Sequence, residues 1–141
     1  RAVPDGPVDT LRQSSVFLEN RAGALADATR ALADAGVDLR ALMIAETDRF
    51  GILRLITDQQ DAALSALDAA GLRTKLVDVL GIEVPDRSGG LADLLGVFAG
   101  SQVNVEYMYA DLAGRQGRAL LIMKATPLDG AVEVLRGAGI F

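Results

Sequence analysis

Cysteine, histidine and tryptophan are absent from this chain of 141 residues, and its aromatics amount to two tyrosines and four phenylalanines. Without cysteine there is no disulfide framework, no thiolate nucleophile and no thiol pair for carrying a soft metal. Without histidine the commonest general base and the commonest metal ligand are missing, which removes Ser-His-Asp and Cys-His catalytic sets. The scarcity of aromatics and a formal net charge of -5 speak against nucleic acid and anionic membrane surfaces as partners. No apolar run reaches the length of a membrane span, and no signal peptide is visible. The chain opens on Arg1 rather than Met, which leaves room for an omitted or lost N-terminal segment. A cytoplasmic location is expected, with no cofactor. Half of the residues are apolar and 23% are charged, the balance of a globular chain that buries a core without staples.

What is present is a stretch that occurs twice. Asn20-Arg21-Ala22-Gly23-Ala24-Leu25-Ala26-Asp27 returns as Asp86-Arg87-Ser88-Gly89-Gly90-Leu91-Ala92-Asp93, at an offset of 66 residues. Each copy stands where an alternating apolar run stops and a helical pattern starts. Two interpretations stand side by side. In one, Gly23 and Gly89 make a strand-to-helix turn that Asn20 and Asp86 cap. In the other, the partnerless amides that open the helix accept an anion or a carboxylate.

Around the copies the same order of elements runs twice. Residues 1–10, with Pro4, Gly6 and Pro7, read as a tail. Module one, residues 11–79, has a strand over 11–18 and a helix from the turn to about Ala35. Leu25, Ala28, Leu32 and Ala35 share a face of that helix. Strands follow over 37–45 and 50–57, then a helix capped by Asp58 with Ala63, Leu64, Leu67 and Ala70 inward, then a strand over 72–79. Module two, residues 80–141, repeats this: a strand over 80–84 and a helix burying Leu91, Leu94, Leu95 and Phe98. Strands over 103–110 and 118–125 flank a loop at 113–117. A last helix opened by Pro127 buries Val132, Leu135 and Ala138. Only Ile140 and Phe141 remain for a final strand, which is cut short, supplied from elsewhere, or absent. The order βαββαβ is that of the ferredoxin-like sandwich, an antiparallel sheet with both helices on one face. The fold class is therefore α+β, two tandem modules. Only Gly81 interrupts Leu72 to Val84, so the last strand of module one is expected to run directly into the first of module two. Leu42, Ile44 and Met108 fall opposite the more regular apolar face of their strands. We infer from them that the open sheet face or its edge packs on another sheet.

Candidate chemistry is thin. Glu46, Asp48, Asp86 and Asp93 supply carboxylates, but such groups on turns and helix starts are mostly caps and solvated charges. No loop has the spacing of a phosphate, dinucleotide or calcium site. RNA binding by such a sheet needs stacking aromatics on central strands, and only Phe17 and Phe50 are available. Tyr107 and Tyr109, two apart, fit a core or an interface better than a ligand cage.

The two turns resemble those of the ACT family of small regulatory domains. The matching residues are Asn20, Gly23, Leu25, Ala35-Gly36 and Val37-Asp38 in module one, and Asp86, Gly89, Leu91 and Val103-Asn104 in module two. The proline frequent in that pattern is replaced by Ala22 and Ser88, and the second copy lacks the Ala-Gly helix ending. Phe50 to Leu55 and Glu106 to Ala110 resemble stand-alone tandem ACT proteins in particular. The resemblance implies a non-enzymatic regulatory protein that binds a free amino acid between paired domains and modulates a partner enzyme of amino-acid metabolism. It also implies a homodimer. An alternative is a small regulatory subunit that docks on a biosynthetic enzyme without binding a ligand. The implied ligand-binding set is Asn20, Arg21, Ala22, Gly23, Leu25 and Asp38, with Asp86, Arg87, Ser88, Gly89, Leu91 and Asn104 in the second module. Turn amides would take the α-carboxylate, while Asp38, Asp86 and the amide carbonyls of Asn20 and Asn104 would accept from the α-ammonium. Asn20 against Asp86, and Asp38 against Asn104, exchange a charge between turn and strand, so the two sites are expected to differ in affinity.

Overall fold

The computed structural model describes residues 8–111 and 117–140. Most of the expected tail and of the loop at 113–117, together with Phe141, lie outside these residues. The elements are β1 (Val8–Glu19), α1 (Ala24–Asp34), β2 (Ala41–Glu46), β3 (Phe50–Ile56), α2 (Gln60–Ala69), β4 (Thr74–Pro85), α3 (Gly90–Gly96), β5 (Asn104–Asp111), β6 (Arg118–Thr126) and α4 (Leu128–Gly137). Strands are hydrogen-bonded in the order β2-β3-β1-β4-β6-β5. The pairs β1–β3, β2–β3, β4–β6 and β5–β6 are antiparallel.

The chain divides into two compact units. The first is Arg12–Val77, and the second joins residues 8–11 to residues 78–140. β4 runs 12 residues without a turn at Gly81, so the last strand of the first unit continues as the first strand of the second. At ~3.3 Å per residue it is about 40 Å long. β1 is equally long and starts at Val8, inside the stretch read as a tail. Residues 8–11 occupy the place for which the sequence offered only Ile140 and Phe141. Val8 is buried in one cluster with Leu80, Ile82 and Leu121. Pro4, Gly6 and Pro7 hid this strand, because Val8-Asp9-Thr10-Leu11 carries no strict alternation.

The core of the first unit joins Val16, Leu18, Leu53 and Leu55 of the sheet to Ala24, Ala28 and Leu32 of α1 and Ala63 and Leu67 of α2. The second unit repeats this with Leu80, Ile82, Leu121 and Met123 under Leu94, Ala131 and Leu135. Two helix faces are rotated from the expected ones. Leu25 gives its buried place to Ala24, and Leu91 and Leu95 are exposed while Leu94 and Phe98 are buried. Each helix turns 3.6 residues per turn, so adjacent residues lie ~100° apart and a one-residue error in phase exchanges neighbours. The N-cap place of α2 is held by Gln59 rather than by Asp58. The Gln59 side chain instead ties the α1–β2 connection, donating to the Gly36 carbonyl and accepting from the Asp38 amide, both at 2.7 Å.

The two faces of β2 are also exchanged. Leu42 stands opposite Leu55 and Ile44 opposite Leu53, on the helix-bearing side, while Ala41, Met43 and Ala45 point to the other side. Met108 likewise packs against the helix-side cluster of its unit, because a bulge between Val105 and Tyr107 shifts the alternation of β5. The face away from the helices is nonetheless buried at Gln13, Ser15, Ala41 and Ile56.

Candidate functional site at the repeated turns

Both copies of the turn have the same pattern of backbone hydrogen bonds. Arg21 N–H donates to the Glu19 carbonyl at 2.9 Å, and Arg87 N–H to that of Pro85 at 3.0 Å. Asp27 N–H reaches the Gly23 carbonyl, and Asp93 N–H that of Gly89, each at 2.9 Å. Gly23 and Gly89 occupy the N-cap places of α1 and α3 with φ 85°, the left-handed region that glycine enters without a Cβ penalty. Neither helix has a side-chain cap, so Asn20 and Asp86 are not caps. Asn20 instead pins the β2–β3 loop to the turn. Its Nδ2 donates to the carbonyls of Thr47 at 3.0 Å and Asp48 at 3.3 Å, and its amide donates to that of Arg49 at 2.8 Å. Asp86 makes the matching join through its backbone, donating to Gly117 at 3.0 Å.

Each arginine folds back over its turn. Arg21 Nη1 donates to the Ala22 carbonyl at 3.3 Å, and the guanidinium pairs with Asp27 at 3.4 Å and Glu19 at 3.5 Å. Arg87 Nη1 donates to the Ser88 carbonyl at 3.1 Å and pairs with Asp93 at a tighter 2.9 Å. The Arg and Asp retained in both copies are therefore one ion pair, which spans the mouth of the helix. Exposed pairs of this kind contribute ~0.2–1 kcal/mol. Their geometric effect is to hold a guanidinium beside helix-opening amides.

A cleft of about 260 Å³ opens between the first turn and the edge strand β2. Its walls are Leu18, Ala24, Leu25 and Ile44, with Glu19, Asn20, Arg21, Glu46 and Gly51 around them. One small volume thus collects apolar contacts, a guanidinium and two carboxylates, close to the size of small-molecule sites. At the second turn a cleft of about 380 Å³ lies on a different side, between Val84, Leu94, Val97 and Ile140, with Arg87, Asp93, Glu83 and Arg118 at its rim.

Of the expected residues, Asn20, Arg21 and Leu25 line the first cleft and Arg87 the second. Ala22, Gly23, Ser88 and Gly89 shape the turns. Leu91, on the first turn of α3, is exposed. Asp38 and Asn104 line neither cleft. Asp38 is tied into the approach to β2, its carbonyl accepting from Thr57 Oγ1 at 2.8 Å. Asn104 starts β5 opposite Thr126. Glu19, Ile44, Glu46 and Gly51 were not in the expected set. Ile44 and Glu46 come from the strand after the turn, and the signal for them was the apolar edge strand ending in a carboxylate.

Among the described residues no group of three or more His, Cys, Asp or Glu side chains could hold a metal ion. No helix among them is long and apolar enough to cross a membrane.

A search among curated proteins returns no match. A solved protein from Bacteroides thetaiotaomicron is 35% identical, with a TM-score of 0.84 over 95% of this chain and 92% of that one. The ligand-free regulatory subunit of aspartate kinase from Thermus thermophilus shares the fold at 17% identity and TM-score 0.62. That from Thermus flavus does so at 19% and 0.60. In both cases 98% of this chain covers 99% of the other. The profile of a family described as an ACT domain pair matches residues 9–138. With that match over most of the sequence, the chain belongs to the ACT domain pair family.

Proposed function

We propose that this protein is a cytoplasmic sensor that binds a free amino acid, acts as a homodimer and modulates a separate enzyme of amino-acid metabolism, without catalysing a reaction itself. The first cleft is the observation that carries this. It is lined by Arg21, Glu19 and Glu46 over an apolar wall of Leu25 and Ile44, which supports a reading in which Arg21 and the opening amides of α1 take an α-carboxylate and the two carboxylates take an α-ammonium. The solved relatives described as regulatory subunits of aspartate kinase agree with a regulatory role. The expected partners Asp38 and Asn104 remain part of the proposal only as residues flanking the edge strands. The second turn, with its shorter Arg87–Asp93 pair, is proposed to bind more weakly than the first.

Thermal shift against the twenty amino acids tests this. A ligand at 100 times its dissociation constant stabilises by ~2.7 kcal/mol. A wild-type midpoint unmoved by all of them sinks the sensor. A second function, docking on a biosynthetic enzyme without a ligand, is favoured by the turns being already closed by their own ion pairs. Retention of such an enzyme in a pull-down without added amino acid selects it.

A further inference from the structure

We infer that the cleft of the second unit is a binding site for an aliphatic carboxylate that lacks an α-ammonium, a ligand class apart from the amino acid proposed for the first cleft. Such a site goes beyond the sensor described above and stands without it. The cleft encloses about 380 Å³, within the ~300–1,000 Å³ of small-molecule sites. Its walls are aliphatic: Val84 and Leu94 are buried, and Val97 and Ile140 pack against the same cluster. Among the described residues, the polar side chains of its lining are Glu83, Arg87, Asp93 and Arg118. The walls carry no hydroxyl or amide side chain, so a ligand that fits them is hydrocarbon away from its head group.

The four polar side chains form two ion pairs, which leave donors open and close the acceptors. Arg118 Nε lies 3.4 Å from the Glu83 carboxylate, and Nη2 donates to the Glu83 carbonyl at 3.2 Å. The Glu83 side chain is only 10% exposed, so a buried carboxylate fixes the guanidinium. Arg87 Nη1 and Nη2 donate to the Ser88 carbonyl and to Asp93. Among the described residues nothing meets Arg118 Nη1 or Arg87 Nε. These N–H groups remain for a carboxylate, while Glu83 and Asp93 are already neutralised and offer little to an ammonium. The first cleft is the reverse. Glu46 makes no ion pair among the described residues, and Arg21 Nε is taken by Glu19 at 3.5 Å. The duplication shows which residues make the difference. At the 66-residue offset Pro85 stands where Glu19 does, so Arg87 faces one carboxylate and Arg21 two. Glu83 likewise replaces Phe17. By the matched registers Leu53–Val16 and Leu121–Ile82, Arg118 replaces Phe50. The matching cleft of the first unit, about 270 Å³, has Phe17, Glu19 and Ala24 in place of Glu83, Pro85 and Gly90, and none of its described lining comes from β3. The second guanidinium therefore belongs to the second unit.

Isocaproate, its neutral amide and leucine share one hydrocarbon chain and differ at the head group, which makes them matched probes. Titration of the full chain followed by methyl NMR reads each cleft separately. Isocaproate is expected to shift the methyls of Val84, Leu94, Val97 and Ile140 and not those of Leu25 and Ile44. Isocaproamide and leucine are expected to need about tenfold or more higher concentration to saturate the same signals. Arg118→Gln and Arg87→Gln are each expected to weaken isocaproate by about tenfold or more. Arg30→Gln, which removes an equal charge from the exposed side of α1, leaves its affinity unchanged. No shift with isocaproate, equal affinity for the amide or for leucine at this cleft, or an equal loss in Arg30→Gln overturns the proposal. Isocaproate held here while no amino acid moves the thermal midpoint removes the sensor and leaves this site. An amino acid that moves the midpoint while isocaproate shifts nothing removes this site and leaves the sensor.

Discussion

Gly90 opens α3 against the backbone of the preceding strand. A Cβ built there lies 2.3 Å from the Pro85 carbonyl oxygen, where contacts under 3.0 Å are essentially never found. Nothing flexible can yield. The oxygen is main chain, Pro85 pairs with Arg118 on β6, and the Pro85 carbonyl already accepts from Arg87 N–H. Gly90→Ala must therefore move either the turn or the start of α3. Overpacking of this kind costs ~1–3 kcal/mol. At ~3–5 °C per kcal/mol for a chain of this length, a loss near the middle of that range lowers the midpoint by roughly 6–10 °C. The first copy of the turn has Ala24 at the matching place, buried in its core, so the reverse change destabilises by a different cause. Ala24→Gly loses only a methyl and gains unfolded-state freedom, worth ~0.5–1 kcal/mol. Urea titrations followed by circular dichroism compare the two variants at equal slope. Gly90→Ala within 0.5 kcal/mol of wild type would refute the reasoning, since the turn would then be open enough for a side chain.

Gln59→Ala removes both bonds that tie the α1–β2 connection and is expected to cost ~1–3 kcal/mol, whereas Gln59→Glu, which keeps the acceptor for the Asp38 amide, costs less; chemical denaturation ranks the two. Leu67→Ala empties a fully buried site between α2 and the sheet and costs ~2–5 kcal/mol, while Leu91→Ala on the exposed face of α3 stays within ~0.5 kcal/mol in the same assay. Asn20→Ala releases the β2–β3 loop, so amide exchange at Thr47 and Phe50 accelerates while that of Leu53 does not; equal exchange at all three would place the loop's anchor elsewhere. Arg21→Ala weakens amino-acid binding more than Arg87→Ala does in calorimetry, if the first cleft is the stronger site.

Local signals carried most of the element order. Gly23 and Gly89 announced two strand-to-helix turns because only glycine takes φ 85° there without penalty. The run from Leu72 to Val84, interrupted only by Gly81, announced a shared strand. Leu25 and Leu91 were misjudged because an alanine- and leucine-rich helix start admits more than one apolar phase. The candidate site was half legible. Its turn is contiguous and was found. Its other wall, Ile44, Glu46 and Gly51, lies more than twenty residues along the chain and enters only through the pairing of β2 with β3.

By itself, the sequence determined the duplication, the βαββαβ order of the first half, the βαββα order of the second and the turn chemistry, since periodicity and glycine act over a few residues. Tertiary structure decided which segment completes the second unit and which way β2 faces. Alternation tells that Leu42 and Ile44 share a side, but not which side. The register opposite Leu55 and Leu53 supplies that sign. In the same way Val8 to Leu11 carries no strong strand pattern of its own. It becomes a strand because β4 leaves hydrogen-bonding groups and an apolar cluster that Val8 fills.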